Sequence, residues 1–108
     1  MKYMMFVCTD TEPQTDESQV PDIHTWVADN DASGRRVLGN ELAPPSTATT
    51  VRVRDGKLQL TDGPYAETAE VIVGFDILEC ADLDEAIAVA GAHPMAWYGR
   101  VELRAFAD

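Results

Sequence analysis

Apolar and polar positions divide the chain into runs of different period. Tyr3-Met4-Met5-Phe6-Val7-Cys8 is continuously apolar and ends at Thr9-Asp10, the pattern of a strand buried on both faces or central in a sheet. Thr11 to Gln19 is polar, lacks periodicity and carries Pro13, which predicts a mobile loop. Pro21 suits a first helical turn, and Val20, Ile23, His24, Val27 and Asp31 share one side at helical spacing. They predict a helix, stopped by Gly34, whose sheet-facing stripe includes His24. The second half of that helix, Ala28 to Ser33, is poor in helix formers and places Asp29 and Asp31 at the unfavourable end of the macrodipole, so fraying is expected there.

Val37-Leu38-Gly39 is a short apolar step, and Pro44-Pro45 predicts an extended connection after it. Strand alternation resumes at Thr49. Val51 and Val53 alternate with Arg52 and Arg54, Asp55-Gly56 supplies a type I′ turn, and Leu58 and Leu60 alternate with Lys57 and Gln59. This is a hairpin with one apolar face and one polar, largely cationic face. Val71 to Cys80 predicts a central strand in which Gly74 marks a bulge or a close backbone approach. Asp82 with Glu85 reads as a capping box opening a helix along Leu83, Ala86, Ile87 and Ala90, which ends at Gly91 before Pro94. Gly99 to Phe106 alternates as a last strand. Strand, helix, hairpin, strand, helix, strand predicts one α+β domain over residues 1–108. The expected topology is a ferredoxin-like split βαβ, with a mostly antiparallel sheet carrying two helices on one face.

Composition narrows the partners. With 45% hydrophobic residues in 108, the chain can bury a modest core without disulfides or metals. A sheet covered on one face leaves the other apolar, so a homodimer is expected. Nineteen acidic residues against eight basic give a formal charge of −11, which repels phosphate backbones and anionic membranes. No apolar run approaches the roughly 20 residues of a spanning helix. The N-terminal segment lacks the pattern of a secretory signal, and cytoplasmic residence is the expectation. Cys8 and Cys80 lack metal or redox spacing and are expected as buried free thiols.

Ala43-Pro44-Pro45-Ser46-Thr47-Ala48-Thr49-Thr50-Val51-Arg52, Asp55-Gly56-Lys57 and Thr61-Asp62-Gly63-Pro64-Tyr65-Ala66-Glu67-Thr68 together resemble the YCII-related family, in its branch named for a DGPF motif. Gly74-Phe75, Asp82-Leu83-Asp84-Glu85-Ala86 and Val101-Glu102-Leu103-Arg104 extend the likeness over nearly the whole chain. The resemblance implies a dimeric α+β barrel of ferredoxin-like subunits. It also implies an enzymatic role, since part of the wider family removes hydrogen halide from hydroxylated aromatics, and some relatives are encoded beside or fused to alternative sigma factors. Tyr65 departs from the branch motif, where phenylalanine is usual, and adds a phenol hydroxyl.

Candidate chemistry centres on a histidine–carboxylate pair. The resemblance points to a histidine of the first helix, and His24 at the edge of the core could act as general base. Its bland alternative is a structurally bonded core histidine. Asp62, aimed by the Gly63-Pro64 turn, would orient it or simply cap its own turn. Tyr65 and Glu67 would line a ligand pocket, against the alternative of a packed aromatic and a solvated carboxylate. His93 is expected to support the end of the second helix through its charge, and Trp26, Trp97 and Tyr98 to be core or dimer contacts. No phosphate-binding glycine loop, nucleophile elbow or metal spacing is present, so neither cofactor nor metal is expected. The leading expectation is a small-molecule lyase or isomerase using His24 and Asp62. The alternative is a non-catalytic metabolite-binding or regulatory dimer linked to transcription.

Overall fold

The computed structural model of the protein describes residues 1–14, 16–63 and 71–108. Among them are two open antiparallel sheets and three helices. The strands are β1 (Lys2–Cys8), β2 (Arg36–Glu41), β3 (Thr49–Arg54), β4 (Lys57–Asp62), β5 (Ile72–Glu79) and β6 (Arg100–Ala105). The helices are α1 (Ile23–Ala32), α2 (Leu83–Gly91) and α3 (Met95–Tyr98). Strand order in the larger sheet is β2-β5-β1-β6, whereas β3 and β4 form a two-stranded sheet of their own.

Period-2 alternation sets the core. Tyr3, Met5 and Val7 of β1 lie opposite Leu78, Asp76 and Gly74 of β5 and opposite Ala105, Leu103 and Val101 of β6. On that face Tyr3, Met5, Val7 and Leu78 join Trp26 of α1 and Ala86, Val89 and Ala90 of α2 in one buried cluster. Both long helices therefore cover the same side. Met4, Phe6, Phe75 and Ile77 point to the other side and are only half-buried.

Local chemistry explains the helix ends. Asp82 accepts the Glu85 N–H at 2.9 Å while Glu85 accepts the Ala81 N–H at 3.2 Å, a reciprocal cap close to the expected box. The α1 cap is Asp22, whose carboxylate accepts the Thr25 N–H at 2.9 Å. Gly34 stops this helix at φ +75°, as its position predicts. The hairpin turn also follows its sequence, with Asp55 at φ 53° and Gly56 at φ 73°, both in the left-handed region that a type I′ turn requires.

Several expectations are corrected. Helix α1 begins at Ile23 rather than at Pro21, and its buried residues are Trp26 and Asn30. His24 is exposed, not sheet-facing. Trp26 sets this rotation because its indole N–H donates to the Val89 carbonyl at 2.8 Å, and Asn30 in turn donates to the Trp26 carbonyl at 2.8 Å. Helix α1 runs to Ala32 through the segment expected to fray, and Asp31 there pairs with Arg36 at 3.0 Å. In α2 the buried stripe is Ala86, Val89 and Ala90, and Leu83 and Ile87 are exposed. The apolar step at Val37 is a full strand, and α3 was not legible as a helix. Neither cysteine is in a disulfide, and of the two only Cys80 is buried.

Candidate functional site

A cavity of about 730 Å³ opens beneath the start of α1, against the β2–β5 edge of the sheet. Sequence creates it by omission. At the helix-facing positions of β5, Leu78 fills the core, but Gly74 supplies no side chain and Asp76 supplies a polar one. Val20, Pro21, Ile23, Trp26 and Val27 form the helix-side wall, Val7 and Val73 the sheet side, and Met95 and Tyr98 close one end. A half-open, mainly apolar cleft of this size with a few polar groups has the form of a small-molecule site.

Asp76 and His93 are the buried polar groups lining this cavity, each 6% exposed. Arg36 holds Asp76 by an Nε–H bond to Oδ1 at 2.8 Å. The same guanidinium donates through Nη1 to Asp31 at 3.0 Å and through Nη2 to the Gly39 carbonyl at 2.9 Å. A Cβ at Gly39 would overlap the Asp76 carboxylate, so glycine is what lets β2 and this side chain coexist. Burial pushes the Asp76 carboxyl above its ordinary value, and Arg36 opposes the shift without cancelling it. The result is a carboxylate of raised basicity.

His93 is held differently. Its Nδ1 accepts the Met95 N–H at 3.0 Å, which places the ring proton on Nε2. Its ring meets that of Trp26 edge-on at a centroid distance of 4.6 Å. Burial, with Arg36 nearby, lowers its pKa to about 4. The imidazole is thus neutral at physiological pH, and among the described residues Nε2 has no hydrogen-bond partner. This corrects the expected role of His93 as a charged support for α2. It instead organises the first turn of α3 as a neutral acceptor and offers an N–H donor at the cavity.

The expected pair is placed elsewhere. His24 lies on the exposed side of α1 and Asp62 at the exposed end of β4, in the separate hairpin. Neither lines the cavity, and no hydrogen bond or ion pair joins them. Tyr65 and Glu67 lie outside the described residues. Asp76 has a legible signal, a single carboxylate inside the otherwise apolar run Val71 to Leu78. Arg36, forty positions away, has none. Among the described residues no group of three or more His, Cys, Asp or Glu side chains could hold a metal ion.

Fold and cavity together define an α+β domain with an open antiparallel sheet, helices on one face and a polar-floored pocket between them. Residues 1–107 match the YCII-related domain, and the chain belongs to that family. It is also similar to an uncharacterized protein, R00369, of Rhizobium meliloti (strain 1021), at 45% identity over 49 residues. That stretch is 45% of this chain and 40% of the relative, so the match spans about two fifths of that protein's length.

Proposed function

We propose that the cavity is the active site of a small-molecule lyase or isomerase whose histidine–carboxylate pair is His93 with Asp76. The observation that carries this reading is that both are buried and line the same cavity, with complementary capacities. Asp76 is a carboxylate of raised basicity, and His93 is a neutral N–H donor. A carbonyl or enol oxygen of the substrate accepts the His93 Nε2–H, which stabilises the charge that develops when Asp76 removes a proton from the adjacent carbon. Returning that proton at another carbon isomerises the substrate, and loss of a β-leaving group eliminates it. Arg36 positions Asp76. In this reading His93 and Asp76 take the place of His24 and Asp62, while Tyr65 and Glu67 remain candidate ligand contacts.

The protomer fits a ferredoxin-like split βαβ with the β3–β4 hairpin inserted, since the strand order and the two helices on one face are those of that topology. Asp62-Gly63-Pro64-Tyr65 supports the DGPF branch. A dimeric barrel is supported by the half-buried Met4, Phe6, Phe75 and Ile77 on the uncovered sheet face. Cysteines outside any disulfide support residence in a reducing cytoplasm.

Deuterium exchange tests the chemistry. A panel of cyclic ketones and lactones in deuterated buffer is followed by NMR. Enzyme-dependent exchange next to the carbonyl is expected, reduced about a hundredfold or more by Asp76→Asn and by His93→Phe, consistent with the usual worth of one general acid–base group. Exchange at the wild-type rate in Asp76→Asn would remove the mechanism. Saturable binding with no exchange would select the metabolite-binding reading instead.

A further inference from the structure

We infer that this cavity selects an organic cation, an amine or other positively charged group joined to a compact apolar body, and rejects anions. The inference rests on the site proposed above and adds its substrate class. Charged side chains lining the cavity are Glu17, Asp22, Glu41, Asp76 and Arg36, four carboxylates against one guanidinium. That guanidinium places three of its five N–H donors on Asp76, Asp31 and the Gly39 carbonyl. Two carboxylates therefore offset its charge before any ligand arrives. The positions outside the described set, Thr15 and 64–70, contain no lysine or arginine.

The carboxylates are not equivalent. Asp22 is engaged at the α1 cap by the Thr25 N–H and hydroxyl, and Asp76 by Arg36. Glu17 and Glu41 line the cavity and have no ion pair or side-chain hydrogen bond among the described residues. Glu41 faces Gly74 across the β2–β5 ladder, on the side of the sheet that floors the cavity. Glu17 belongs to a 3-10 turn, Glu17–Gln19, that precedes α1. Two negative charges on separate elements thus line a cavity that is largely apolar above its polar floor.

A second polar group lines the same cavity. His93, 6% exposed, accepts the Met95 N–H on Nδ1 and so carries its proton on Nε2, which has no partner among the described residues. That N–H is free to donate to water or to a ligand oxygen. A bound molecule would place its oxygen on His93, its apolar body against Trp26 and Val73, and its positive end towards Glu17 and Glu41. Tyr98, also in the lining, adds an aromatic surface suited to a cation. An anion in the same orientation would be desolvated against like charges.

Three probes of one shape and different charge decide the matter: benzylamine, benzyl alcohol and benzoate, each titrated into the full chain at low ionic strength with tryptophan fluorescence and calorimetry as readouts. Benzylamine is expected to bind about tenfold more tightly than benzyl alcohol, the combined effect of two partly screened carboxylates, and benzoate more weakly than either. Glu17→Gln and Glu41→Gln together should abolish the preference for the amine while leaving benzyl alcohol unchanged. Equal or tighter binding of benzoate, persistence of the amine preference in the double variant, or binding of none of the three at millimolar concentration would each overturn the inference. Its failure is separable from that of the catalytic reading. Exchange lost in Asp76→Asn with benzoate preferred removes only the charge selectivity, whereas amine preference without any exchange removes only the chemistry.

Discussion

The four-stranded body and the β3–β4 hairpin are written in the same alternating code but end in opposite environments. In β1 the alternation buries Tyr3, Met5 and Val7. In the hairpin, Val51 faces Leu60 and Val53 faces Leu58, and these four are 56–65% exposed. The hairpin is tied at its base by the Gly63 N–H to the Ala48 carbonyl at 2.6 Å and by the Thr50 hydroxyl to the Gly63 carbonyl at 2.9 Å. It otherwise extends the molecule, whose radius of gyration is 16.0 Å, compared with about 13 Å for a compact chain of this length. Alternation states which side chains share a face. What covers that face is a separate matter, because a two-stranded ribbon cannot bury its own apolar side.

The sharpest way to probe this contrast is to truncate one side chain in each region. Leu78→Ala, at a fully buried position, should lower unfolding free energy in urea by about 3–4 kcal/mol through lost transfer energy and a residual cavity. A loss under 1 kcal/mol would mean the cluster is loosely packed. Arg36→Met removes the partner of a buried carboxylate and should cost about 3 kcal/mol at neutral pH. The loss should shrink in acid as Asp76 protonates, and a loss of the same size at low pH would contradict that origin.

The pH dependence is next in size. His93 has a folded-state pKa of about 4 against an ordinary 6.5. Its contribution to stability is complete above 6.5 and is lost as pH falls through about 4, because the unfolded chain takes up the proton first. Thermal unfolding should register a loss of about 2–3 kcal/mol across that window, attenuated from the full shift by partial solvent access. Asp76, raised from 3.8, acts in the opposite sense over a window starting there. Comparison with His93→Asn therefore isolates the histidine, and identical pH profiles for the two proteins would refute its assigned state.

The smallest stability effect belongs to the hairpin. Val53→Ser with Leu58→Ser should change the stability of the dilute protomer by less than about 1 kcal/mol, because these side chains are already in water. Should two copies of the protein associate through this face, the same variant will shift sedimentation towards the protomer mass, and an unchanged mass would exclude this face as the contact.

Legibility followed the range of the interactions involved. The hairpin, the Asp82 cap, the Gly34 stop and the closing strand rest on neighbours a few residues apart, and each could be read directly. The helix-facing register of α1 could not. His24 and Trp26 are two positions apart, and choosing between their faces depends on the bond from Trp26 to Val89, 63 residues away. Strand β2 was also obscured, since Gly39 and Asn40 weaken its pattern and it is secured by pairing with β5.

By itself, the sequence determined the α+β class, the elements with local signals, the acidity of the surface and the family likeness now matched over residues 1–107. Only the tertiary structure decided that Asp76, Arg36 and His93 meet at one cavity while His24 and Asp62 stay on the surface. The reason is physical: pKa shifts and ligand selectivity come from desolvation and charge proximity, which depend on distances through space, and chain spacing constrains those only within a turn or a helix.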